Sequence, residues 1–168
     1  MINFLFIISI IFFISCDDCT FADRVPAYLD LEIHTTKPDC IGTYGTSAIG
    51  EWYFLEIYQL KREAVNEFLL NSDRRLPRRL SENLVYENWK LEIESLKDST
   101  VISQSLVSVH GISEYASNVE YVRNQIFNST GNIYFSYYVP EGSVDFSKIE
   151  FFAFDIRTGI FYLFDIND

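Results

Sequence analysis

Three features of this 168-residue sequence predict an α+β fold, with an antiparallel aromatic-rich β-sheet and about two helices packed on it. Eleven of its 28 aromatic side chains fall within residues 134–164, the composition of a packed sheet rather than of a disordered tail. Three apolar, strand-length runs separated by turn residues occupy the same stretch. Ahead of them, Tyr115, Val119, Val122 and Ile126 recur at helical spacing.

Taken in chain order, residues 28–35 place Leu29, Leu31 and Ile33 on one face and Asp30, Glu32 and His34 on the other, the pattern of a half-buried strand with His34 toward solvent. Residues 36–50 contain Pro38, Gly42, Gly45 and Gly50 and read as a loop. Residues 52–59 fit either a strand or a first helical turn. Ala64, Val65, Phe68 and Leu69 then predict a helix over about 60–71. Pro77 disfavours a continuous helix through 72–86. Residues 88–95 alternate, with Trp89, Leu91 and Ile93 facing in and Lys90, Glu92 and Glu94 facing out, and predict a strand. Lys97-Asp98-Ser99 reads as a turn. Residues 101–109 read as a strand, although Ile102, Leu106 and Val109 also fit a helix.

Gly111 interrupts the pattern, and a helix is expected over 113–128. Ser117-Asn118-Val119-Glu120 has capping-box form, and Gly131 stands where a glycine ends a helix. Strands are expected at 132–139, 149–156 and 160–166. Pro140 ends the first, and Arg157-Thr158-Gly159 forms a hairpin connection with Gly159 left-handed. Phe152 and Phe154 lie on one face, Phe151 and Ala153 on the other. Both faces must therefore be covered, one by helices and the other by more chain or a partner.

The chemistry-bearing residues argue against an enzyme. No nucleophile elbow, phosphate loop, dinucleotide fingerprint or zinc-protease motif is present. His34 and His110 are the two histidines, and neither has zinc-ligand spacing to a cysteine. Glu92 and Glu94 could act as an acid pair but alternate with apolar residues, which reads as a solvated face. Asp155, Asp165 and Asp168 lack the dense oxygen-ligand loop of a calcium site. No metal or cofactor is expected. The formal charge of −11 disfavours nucleic acid and suits a basic partner. Within this acidic chain, Arg74, Arg75, Arg78 and Arg79 form a cluster that could grip anionic headgroups or carboxylates, or pair with the protein's own acids. Asn128-Ser129-Thr130 is a glycosylation sequon, meaningful only in a eukaryotic source.

The first fifteen residues carry no charge. Their apolar run over 4–14 is too short to span a bilayer, and Asp17 and Asp18 follow Cys16 at once. This is the form of a secretory signal peptide. Phe13-Ile14-Ser15-Cys16 resembles the lipobox of bacterial lipoproteins, in which a small residue precedes a cysteine that is lipidated and becomes the mature N-terminus. Phe13 stands where leucine is commonest, and no basic residue precedes the apolar run.

The resemblance implies a signal peptide at 1–15, a lipidated Cys16 with a tether over 16–26, and a single globular domain over 27–168. It also implies export across the inner membrane and anchoring in the cell envelope, facing the periplasm or the cell surface. A secreted protein cleaved without lipidation is the other reading of this leader. With Cys16 lipidated, Cys19 and Cys40 remain as either a disulfide or two free thiols.

The function expected is that of a non-enzymatic envelope lipoprotein that binds a protein partner, such as an immunity or inhibitor protein against a toxin or hydrolase. Glu92, Glu94 and Tyr138 are its first candidate contact residues, taken as exposed acidic or aromatic groups. The alternatives are an assembly or housekeeping lipoprotein touching membrane or cell wall, and a small-molecule binder with an aromatic pocket.

Overall fold

The structure, a computed structural model, describes residues 19–31, 37–48, 51–71, 76, 84–106, 113–140 and 148–167. A short helix α1 (Val25–Tyr28) precedes the hairpin β1 (Asp39–Ala48) and β2 (Glu51–Gln59). Helix α2 (Arg62–Leu70) and strand β3 (Leu84–Tyr86) follow, then helices α3 (Leu96–Ser105) and α4 (Ser113–Phe127). Strands β4 (Ile133–Pro140), β5 (Lys148–Asp155) and β6 (Ile160–Asn167) close the chain. All six strands form one antiparallel sheet in the order β1-β2-β6-β5-β4-β3. The α+β class and the aromatic-rich antiparallel sheet are thus as expected, with four helices among the described residues in place of about two.

The β5–β6 hairpin shows how local sequence fixes the register. Gly159 has φ +75°, and a Cβ there would meet the Leu60 carbonyl oxygen at 2.9 Å. The turn pairs Asp155 with Ile160, after which Phe154 faces Phe161 and Phe152 faces Leu163. Side chains alternate across the pleat, so the same strands send Phe151, Tyr162 and Phe164 to the opposite face.

Both faces are covered by this chain. On the first, Val101, Ile102 and Leu106 of α3 and its C-cap, with Tyr115, Val119, Val122 and Ile126 of α4, pack on Leu55, Ile57, Phe135, Phe151 and Phe164. On the second, Val25, Tyr28 and Leu29, Val65 and Phe68 of α2, and Trp89 pack on Tyr58, Phe152, Phe154, Phe161 and Leu163. Phe68 makes edge-to-face contacts with Trp89, Tyr134 and Phe154 at 5.6, 5.2 and 5.0 Å. The Trp89 indole donates to the Tyr28 carbonyl at 3.0 Å, which ties the N-terminal segment to the chain that follows β3. Each such buried side chain contributes about 1.5–3 kcal/mol.

Several expectations are corrected. Residues 28–31 end a helix and turn rather than start a strand, and residues 32–36, with His34, lie outside the described residues. The expected loop at 36–50 contains β1. Its glycines lie under aromatic rings: a Cβ on Gly42 would sit 2.9 Å from Tyr44, and one on Gly45 2.9 Å from Phe54. Residues 51–59 take the strand option. Residues 88–95 are not a strand; the stretch touches the sheet through isolated bridges at Asn88 and Lys90, the latter to Phe135.

Lys97-Asp98-Ser99 is not a turn but lies in the start of α3, because Ser95 caps the Asp98 amide at 3.1 Å, and residues 101–105 take the helical alternative, with 107–109 outside the described residues. Ser117 lies inside α4 rather than at its start. Residues 19–26, expected within a tether, belong to the fold, with Ala22 and Val25 buried, and residues 16–18 lie outside the described residues. The helix expected over 113–128 and the three final strands stand within a residue or two of their expected bounds, and Gly131 is left-handed at φ +71°.

Candidate functional site

The segment between β3 and α3 builds the most distinctive surface. Glu92, Glu94 and Leu96 are exposed on it, Leu96 at 84%. Beneath them lies Asp98, fully buried at the start of α3. Its Oδ1 accepts hydrogen bonds from Lys90 Nζ at 2.9 Å and Tyr137 Oη at 2.7 Å, and its Oδ2 accepts from the Glu94 amide at 3.0 Å. Lys90 also lies 3.5 Å from Glu87 and 3.7 Å from Glu94. Lys97 binds Glu87 at 2.8 Å and stands over the Tyr137 ring.

Burial pushes the Asp98 carboxyl up, but the bonds from Lys90, Tyr137 and the Glu94 amide outweigh it and hold the group below the usual carboxylate range. Burial pushes Lys90 down, and its bond to Asp98 and the surrounding carboxylates more than reverse this. Tyr137 is raised by burial and by its bond to Asp98. The loop backbone is therefore fixed from below, while two carboxylates and a leucine project from above. This arrangement suits recognition of a basic surface with an apolar contact beside the carboxylates; the network's Lys90 and Asp98 form an ion pair at 2.9 Å.

A second cluster holds the start of the described chain. Cys19 and Cys40 form a disulfide, the bonded alternative of the two. Thr43 Oγ1 lies 3.4 Å from Cys19 Sγ. The buried Glu56 carboxylate then accepts the Thr20 amide at 2.5 Å, the Phe21 amide at 3.1 Å, and the Tyr58 hydroxyl. Burial and the bond to Glu56 raise Tyr58 well above its ordinary value. Sequence reasoning missed Glu56. Its signal is a carboxylate set inside the otherwise apolar run 52–58 of β2, which periodicity alone assigns to solvent.

A third carboxylate, Asp155, serves the β5–β6 turn. It accepts from Tyr121 Oη at 2.6 Å and from the amides of Arg157 and Thr158 at 2.9 and 3.3 Å. These bonds occupy its oxygens with protein donors. Among the described residues, no three His, Cys, Asp or Glu side chains converge as metal ligands.

Of the sequence candidates, Glu92 and Glu94 are exposed and share the loop. Tyr138 is a correction: it is buried at 1%, packed edge-on against Phe152 at 5.7 Å, because its strand position faces the second core. Arg74, Arg75, Arg78, Arg79, His110 and Cys16 lie outside the described residues. An open depression between β1 and α4 is lined by Tyr44, Glu114, Ser117 and Asn118. Comparison with known proteins finds no matching family model, no similar curated protein and no similar solved structure.

Proposed function

We propose that this chain is a lipid-anchored protein of a bacterial envelope, with the lipid on Cys16, and that its loop 92–96 binds a basic protein partner. In the concrete form of this reading, the partner is a toxin or hydrolase that the protein neutralises. The observation that carries the binding role is the preorganised loop: Glu92, Glu94 and Leu96 are exposed on a backbone that buried Asp98 holds in place. A loop already fixed in its binding conformation loses little entropy on association, and its carboxylates steer a cationic partner toward it. The Cys19–Cys40 disulfide supports the exported location, because such bonds persist in oxidising compartments.

The test is a photo-crosslinking residue at position 96 in cells that make the native protein. The expected result is one discrete adduct that disappears when Glu92→Lys and Glu94→Lys are combined. Absence of an adduct, or an adduct indifferent to charge reversal, rejects the loop as a binding site. Mass spectrometry of the same product tests the anchor: an unmodified sulfur at Cys16 rejects it.

A further inference from the structure

We infer that the corner of the molecule where β1 begins is its membrane-facing surface, seated directly on the bilayer. The inference rests on the lipid anchor proposed for Cys16. Only Asp17 and Asp18 separate that residue from Cys19, which the disulfide fixes to Cys40 on β1. Three residues of extended chain reach about 11 Å. A domain of this length has a radius of gyration of about 15 Å, so the anchor is too short to let it turn freely above the membrane. The second hold on the segment, Glu56 gripping the Thr20 and Phe21 amides, keeps the attachment point from peeling away from the sheet.

The chemistry of this corner fits a lipid surface. Ile41, 52% exposed, falls in a bulge between Cys40 and Gly42 on the edge strand, directly beside the disulfide. Asp39 pairs with Gln59, so the same corner includes the exposed residues Lys61 and Arg62 that follow β2. Lys37 lies immediately before β1, in an ion pair with Asp23 at 3.1 Å. Lys37, Lys61 and Arg62 here stand against Asp23, Asp39 and Glu63, with Asp17 and Asp18 adding two acids on the anchor itself, in a protein whose net charge is −11. The corner thus carries only a small part of the acidity of the molecule, and anionic headgroups repel it less than they would the remainder. With this corner down, the hairpin tip near Trp52 and the strand end at Asp165 and Asn167 are carried away from the bilayer.

Hydrogen exchange of the full lipidated chain, in phosphatidylcholine vesicles with and without phosphatidylglycerol, tests the orientation. The expected result is severalfold slower exchange over residues 37–42 and 60–62 than in the lipid-free protein, with residues 51–54 and 163–167 unchanged. The protection should persist with phosphatidylglycerol, and Lys61→Glu with Arg62→Glu should reduce it there while leaving it unchanged in phosphatidylcholine alone. Ile41→Asp should reduce protection in both vesicles without changing exchange in the lipid-free protein. Lipidated protein with no protection at this corner, or with protection centred on 51–54, overturns the orientation while leaving the anchor intact. A chain with no lipid on Cys16 overturns both.

Discussion

Glu56 and Asp98 are both fully buried carboxylates, and each is held by several donors. Removing such a group leaves buried and half-buried donors without their partners, which costs more than the net worth of the bonds. Glu56→Leu strands two backbone amides and the Tyr58 hydroxyl, and is expected to destabilise the fold by roughly 3 kcal/mol, measured by urea unfolding. Tyr58→Phe removes one donor and keeps the two amide bonds, so it should cost clearly less.

Asp98 adds a pH signature. Its folded pKa lies below the unfolded value, so its contribution is present above the unfolded value and is lost as pH falls through the folded one. Stability should therefore decline below about pH 4, the ordinary aspartate range. Asp98→Asn should make that decline shallower as well as lower stability at neutral pH. Lys90 has the opposite sign. Its raised pKa supports the fold below the ordinary lysine value and loses effect only as pH rises through the folded one. Unfolding midpoints measured from acid to alkaline pH check both arms.

At the scale of elements, the disulfide joins the N-terminal segment to the edge strand across 21 residues of sequence. Closing a loop of that length contributes about 3 kcal/mol in the chain-entropy description. Cys19→Ser with Cys40→Ser should lower stability by that order in urea unfolding, and reductant should no longer affect the variant.

The elements that sequence made legible share one property: their local pattern and tertiary surroundings agree. In β5 and β6, alternate residues feed two cores, and Gly159 supplies the one left-handed position that the turn needs. In α4, the apolar stripe meets the sheet as spaced. Where the pattern misled, tertiary contacts decided. Gly42 and Gly45 read as loop, yet they make room for Tyr44 and Phe54 within a ladder. Residues 88–95 alternate because Trp89 enters the second core while Lys90 is drawn toward buried Asp98; the stretch bridges β4 at Lys90 and Phe135 but does not continue as a ladder. The exposure of Glu92 and Glu94 was legible from their charge. The aspartate that fixes their loop was hidden in an ordinary turn tripeptide, since its partners Lys90 and Tyr137 come from 8 and 39 residues away.

For the whole molecule, the order β1-β2-β6-β5-β4-β3 places the last strand near the middle of the sheet. Strand β6 pairs with β5 through a tight turn, but its other edge pairs with β2, about a hundred residues earlier, as in Gln59 to Ile160 and Leu55 to Phe164. Without β6, the β1–β2 hairpin has no ladder to the remainder of the sheet, and Phe161, Leu163, Phe164 and Ile166 vanish from the two cores. The sheet therefore cannot close until β6 is present, and such distant pairing slows closure because loop entropy is lost before the contacts form. Truncation after Gly159 is expected to abolish cooperative unfolding and the near-ultraviolet signal of the packed aromatic rings. Removal of Asp168 alone, beyond the end of β6, should leave both intact. A cooperative transition retained by the chain truncated after Gly159 would show that the β1–β2 hairpin and the β3–β5 portion hold together without their shared strand.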